Sequence, residues 1–141
     1  VSNKRNADAP SRAERLLQRM IHLASQGHEH VAPDHQSYNA IMHAWTNTRS
    51  PQASRRVSWY LKQMWQQYTD DTNNLRQRLK PNVISYNILL RSQLHDPFNA
   101  QHTLLELLDK EQSENIVPDS DSFTLVIKAW TNHESNCAKT E

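Results

Sequence analysis

Three stretches of the chain share one register: Pro33-Asp34-His35-Gln36-Ser37-Tyr38-Asn39, Pro81-Asn82-Val83-Ile84-Ser85-Tyr86-Asn87 and Pro118-Asp119-Ser120-Asp121-Ser122-Phe123-Thr124. Five of the seven columns agree: Pro, Asp or Asn, Ser, an aromatic, and a small polar residue. Each aromatic opens an apolar stripe, namely Tyr38, Ile41, Met42 and Trp45; Tyr86, Leu89 and Leu90; Phe123, Val126, Ile127 and Trp130. Steps of three and four residues mark one face of an α-helix. Pro is tolerated at a helix start, where the backbone N–H groups have no intrahelical partner, and Asp, Asn or Ser beside it can cap those donors. The register therefore predicts a helix, here helix A, over 34–46, 82–94 and 119–132.

Between these lies a second recurring unit, helix B, with apolar residues at Ala13, Leu17 and Met20, at Val57, Leu61 and Met64, and at Ala100, Leu104 and Leu107. It is expected over 10–26, 52–68 and 97–112. Residues 1–9 read as a polar tail or loop, 69–80 as a polar insertion, and 133–141 as a loop in a truncated repeat. Six helices in B-A-B-A-B-A order predict an all-α fold in which helical hairpins stack into a solenoid over residues 10–132. Its units are a first repeat over 35–82, a second over 83–119 and a partial one over 120–132. Hairpins of this kind bury their stripes by stacking on neighbours, so an order that begins and ends inside a unit reads as a piece of a longer array.

Composition agrees. A single Gly disfavours two-residue β-hairpins and excludes glycine-built phosphate loops. A hydrophobic share of 36% and a mean hydropathy of −0.87 suit a layer only two helices thick. The net charge of +1, from 16 basic and 15 acidic residues, offers no global attraction to nucleic acid or membrane, so any basic surface is expected to be local. No apolar run is long enough to span a membrane. The lone Cys137 excludes an intrachain disulfide and lies too near the chain end to suggest a nucleophile; it points to a reducing compartment. His28, Glu29, His30 and His35 fall in a loop without metal-binding spacing, and Asp70 and Asp71 read as solvated. No metal, cofactor or catalytic activity is expected. The aromatics Tyr38, Tyr86 and Phe123 are assigned to the core, because they lie on the apolar stripes.

Three other columns of helix A, two before the aromatic and one and five after it, fall on a face apart from those stripes. They hold Gln36, Asn39 and His43; Ile84, Asn87 and Arg91; and Asp121, Thr124 and Lys128. A row of His, Arg and Lys beside a row of Asn, Asn and Thr suits phosphates next to base edges.

The Pro-[Asp/Asn]-x-x-Ser-[Tyr/Phe]-[Asn/Thr] register, helix A followed by helix B, and the Ala-x-x-x-Leu-x-x-Met pattern of helix B together resemble pentatricopeptide repeat proteins, from about residue 10 to 132. The resemblance implies a right-handed superhelix whose helices A line a groove for single-stranded RNA, one base per repeat. It implies that Asn39 with Asn82 favours a pyrimidine, that Asn87 with Asp119 favours uracil, and that Thr124 favours a purine. Asp34 would close a preceding repeat. Gln36, Ile84 and Asp121 would sandwich bases, with only Ile84 of the apolar type the family prefers, and His43, Arg91 and Lys128 would meet phosphates. Repeats longer than the family's usual length of about 35 residues put the one-base register in question. The family's setting is organellar RNA processing, stability, editing or translation in mitochondria or plastids, sometimes with other proteins of an RNA-processing complex. Two further readings accompany it: a protein-binding scaffold of tetratricopeptide type, or the RNA-docking arm of an enzyme such as protein-only RNase P.

Overall fold

The computed structural model describes the backbone of residues 2–69 and 77–140, and the side chains of 8–68 and 77–134. Among these residues every regular element is helical: α1 (Ser2–Ser25), a 3₁₀ turn (Glu29–Val31), α2 (His35–Asn47), α3 (Ala53–Thr69), α4 (Val83–Ser92), α5 (Pro97–Glu114) and α6 (Ser120–Thr140). The chain forms two compact units, one up to Pro81 and one from Asn82 onward.

The shared register is a helix-start device in all three places. Asp34 Oδ1 accepts from the Ser37 N–H at 3.0 Å, and Ser37 Oγ accepts from the Asp34 N–H at 3.3 Å. Asn82 and Ser85 repeat this at 3.1 and 3.2 Å, and Asp119 and Ser122 at 3.0 and 3.2 Å. Each is a reciprocal capping box, satisfying two backbone donors that the helix itself leaves open. Pro33, Pro81 and Pro118 stand one residue outside these caps, so they set the approach to the helix rather than its first turn. At the other ends, Gly27 (φ 106°) follows α1 closely and Asn115 (φ 60°) closes α5 in the left-handed region. Besides Gly27, two non-glycine residues take the left-handed conformation after a helix: Asn115, which tolerates it better than most residues, and Arg49 (φ 55°) just past α2.

In the first unit α1 and α3 both pack on α2, and the expected stripes are buried at Tyr38, Ile41 and Met42 and at Val57, Leu61 and Met64. In the second, α5 and α6 pack on α4 and on each other around Leu90, Ala100, Leu125, Val126 and Ala129.

Four expectations are corrected. Residues 2–9 are helical rather than a tail, so α1 begins eight residues before Pro10 and carries it in its interior. Pro costs one intrahelical bond and about 3 kcal/mol but does not forbid helix on its N-terminal side. Residues 133–140 continue α6 instead of forming a loop. His133, one turn past Trp130, joins it and Phe98 in an edge-on cluster with ring centroids 5.0–6.1 Å apart, which holds that turn. Helix α4 stops at Ser92, two residues short of the expected end, where Gln93 leaves helical geometry. Finally, Phe123 is 45% exposed and Ile127 61%, so neither is core; α6 buries Ser122, Leu125, Val126 and Ala129 instead. Tyr38 is covered by Tyr60 and Gln67 of α3. Among the described residues no helix follows α6 to cover Phe123 in the same way. Of the polar insertion, residues 70–76, including Asp70 and Asp71, lie outside the described residues, as does the side chain of Cys137.

Candidate nucleic-acid interface

The nine side chains of the outward columns divide. Gln36, His43, Ile84, Arg91, Asp121, Thr124 and Lys128 are exposed, and neither His43, Arg91 nor Lys128 is engaged in an ion pair among the described residues. The cationic ends of Arg91 and Lys128 and the ring of His43 are thus exposed to solvent. His43 belongs to the first unit, Arg91 and Lys128 to the second. Asn39 and Asn87 are buried, which corrects the expectation that their column faces outward. Only Thr124 of that column is exposed, and its hydroxyl donates to the Ser120 carbonyl one turn back at 2.7 Å.

The burial of Asn87 has a specific cause. Its Nδ2 donates to Asp119 Oδ1 at 3.1 Å, and its Oδ1 accepts from the Ser122 hydroxyl at 2.7 Å. Ser122 also holds the Asp119 cap, so one cluster fastens the middle of α4 to the start of α6. Mild burial pushes the Asp119 carboxyl upward, but the donors of Asn87 and Ser122 outweigh it and hold the group below the usual carboxylate range. The two residues that the resemblance pairs therefore touch. Asn87 keeps one amide hydrogen and one carbonyl lone pair, and Asp119 keeps Oδ2. Ile84 and Arg91 stand on the same side of α4, three residues before Asn87 and four after it, both exposed.

The remaining site residues serve first as structure. Asp34 and Asn82 are N-caps, and Asn39 is buried in α2. Gln36 and Asp121 are exposed in the first turns of α2 and α6. His28 caps the short 3₁₀ turn and His30 lies within it, edge to face at 6.0 Å, and the His35 Nδ1 lies 3.2 Å from the Arg78 carbonyl. No group of three His, Cys, Asp or Glu side chains among the described residues is placed to hold a metal ion.

Two features escape a reading by motif. The first is a charged knot in the first unit: Glu14 Oε1 accepts from Arg56 Nη2 at 2.8 Å, Tyr60 Oη–H at 2.6 Å and Trp45 Nε1–H at 3.0 Å. Burial raises the Glu14 carboxyl, yet these three donors together bring it below its usual range, while burial and the Glu14 charge push the Tyr60 phenol well up. The Arg56 guanidinium lies 5.4 Å from the rings of both Trp45 and Trp59. The second feature is the distribution of charge. Up to Pro81 the chain has 12 Lys and Arg against 6 Asp and Glu, whereas from Asn82 onward it has 4 against 9. The near-zero total conceals a basic unit and an acidic one, and counting by halves would have found it.

Comparison of the chain with protein-family models, with curated proteins and with solved structures gave no match.

Proposed function

We propose that the chain binds single-stranded RNA with a sequence bias, as a pentatricopeptide-type array of stacked hairpins in a right-handed superhelix, and serves organellar RNA metabolism in a mitochondrion or plastid. The observation that carries this reading is the Asn87–Asp119 contact beside exposed Ile84 and Arg91. The edge of uracil presents one N–H between two carbonyl oxygens. The carboxylate of Asp119 can accept from that N–H while the spare amide hydrogen of Asn87 donates to a flanking carbonyl. Ile84 offers an apolar surface to the base plane and Arg91 a cation to the phosphate. Holding the reading pair rigid before the ligand arrives reduces the ordering cost of binding.

The reading is tested by fluorescence anisotropy with a uracil-rich single-stranded RNA. Arg91→Glu is expected to weaken binding and to reduce the slope of log affinity against log salt by about one. Ile84→Ala is expected to weaken binding without changing that slope. Affinities of both variants equal to wild type would refute the assignment.

A further inference from the structure

The first unit carries a cleft of about 640 Å³ between α1 and α3, floored by Leu17, Tyr38 and Tyr60. Its rims hold Ile21 and Arg15 on one side and Trp59 and Gln63 on the other. Trp59 is 46% exposed, an unusual position for a side chain of that size. Arg55 and Lys62 stand one turn to either side of Trp59, and Arg12 and Arg19 one turn to either side of Arg15, on exposed faces. None of Arg12, Arg15, Arg19, Arg55 and Lys62 is ion-paired among the described residues. The cleft is thus a trough between two helices with an apolar floor, the Glu14–Arg56 pair in its wall, Arg15 on its rim, and Arg12, Arg19, Arg55 and Lys62 on the adjoining exposed faces. Phosphate alone gains nothing from the exposed Ile21 and Leu16. A helix that combines carboxylates with apolar anchors gains from both features.

The second unit displays such a helix. On α5, Phe98, His102, Leu105 and Asp109 follow at steps of four, three and four, so they form one stripe, and Glu106 flanks it. All five are exposed, Leu105 at 56%. The opposite face of α5 is buried in its own unit through Ala100, Thr103 and Leu107, so the stripe can meet another surface without unfolding the helix; Phe98 keeps 65% of its surface exposed beside Trp130 and His133, and Glu106 lies 3.2 Å from His102 Nε2.

We infer that the cleft of the first unit receives the Phe98–Asp109 stripe of α5 from a second copy of the chain, with Arg15 and Lys62 facing Glu106 and Asp109. The charge imbalance of the two units favours this contact, because it sets the basic unit of one copy against the acidic unit of another. Joined reciprocally it closes a two-fold pair; joined in one direction only it gives a ring or an open chain.

Analytical ultracentrifugation of the nuclease-treated chain tests this. At about 100 µM protein in about 50 mM salt, where exposed charges are weakly screened, the weight-average mass is expected to be at least twice 16.5 kDa and to fall as salt is raised. Arg15→Glu with Lys62→Glu, and separately Glu106→Lys with Asp109→Lys, are each expected to remain at the monomer mass while keeping wild-type helical circular dichroism. An equimolar mixture of the two double variants should associate again, because each then offers the other one reversed and complementary surface. A wild type that stays monomeric overturns the inference, as does self-association that survives either double variant, a mixture that fails to associate, or an association that nuclease abolishes.

Discussion

The two units share one capping box, at the starts of α2, α4 and α6, but tie their helices together by different means. In the first, the joint between α1 and α3 is ionic: one Glu14 oxygen takes donors from Arg56, Tyr60 and Trp45. In the second, α4, α5 and α6 close on an aliphatic cluster around Leu90, and the polar knot of Asn87, Ser122 and Asp119 joins α4 to the start of α6. A shared local signal thus fixes where helices start and leaves open what holds them to each other. The ionic joint goes with the basic unit and the aliphatic one with the acidic unit, a division that the overall charge hides.

The largest effect expected from breaking this contrast is at Leu90. It is fully buried, and Leu90→Ala should cost about 2–5 kcal/mol through lost transfer energy and the cavity left behind. Trp130 is the one Trp of the second unit, so its fluorescence in a variant with Phe at 45, 59 and 65 follows that unit in a urea titration. In the first unit, Glu14→Ala should cost about 2–3 kcal/mol, because a charged acceptor is removed from three donors and Arg56 is left without its counter-ion. The corresponding titration uses Trp45, Trp59 and Trp65 with Phe at 130. If Glu14→Ala proves neutral, the ionic joint contributes nothing and the contrast between the units fails.

A smaller effect follows from acid. The folded Glu14 carboxyl ionises more readily than the ordinary value of 4.5. Its stabilisation is therefore complete above that value and is lost as pH falls below it and through the lowered folded pKa. The urea midpoint of the first unit should drop over this interval, and Glu14→Gln should remove that part of the drop. Asp119 is shifted in the same direction, so the second unit also weakens in acid, and Asn87→Ala should reduce that response.

Much of the fold was legible because helix starts are local. Pro, Asp or Asn, and Ser at fixed offsets specify a capping box from seven residues, and the stripes behind them locate the core faces of α2 and α4. What was not legible depends on neighbours distant in sequence. Phe123 occupies the same column as Tyr38 and Tyr86, yet it is exposed, because burial needs another helix across from it. Residues 2–9 and 133–140 are polar and lack an apolar period, so their helices could not be read from pattern. At the candidate site, the spacing that placed Asn87 on an outer face could not foresee that Ser122, thirty-five residues on, would draw it inward. The same Ser column that caps α6 supplies that contact, so the register is a structural signal in its own right.

The central claim is that Asn87, held against Asp119, reads a base. It is tested most directly by measuring the affinity of wild type and Asn87→Thr for single-stranded RNAs that differ only in uracil or adenine content. Threonine replaces the amide with one hydroxyl a bond closer to the backbone, which removes the Nδ2 donor to Asp119 and changes the group offered to the base. The account predicts a uracil preference in wild type, on the order of tenfold for one discriminating hydrogen-bonded pair, shifting toward purine in Asn87→Thr, measured where both proteins show wild-type helical circular dichroism. An identical base preference in the two proteins would contradict it.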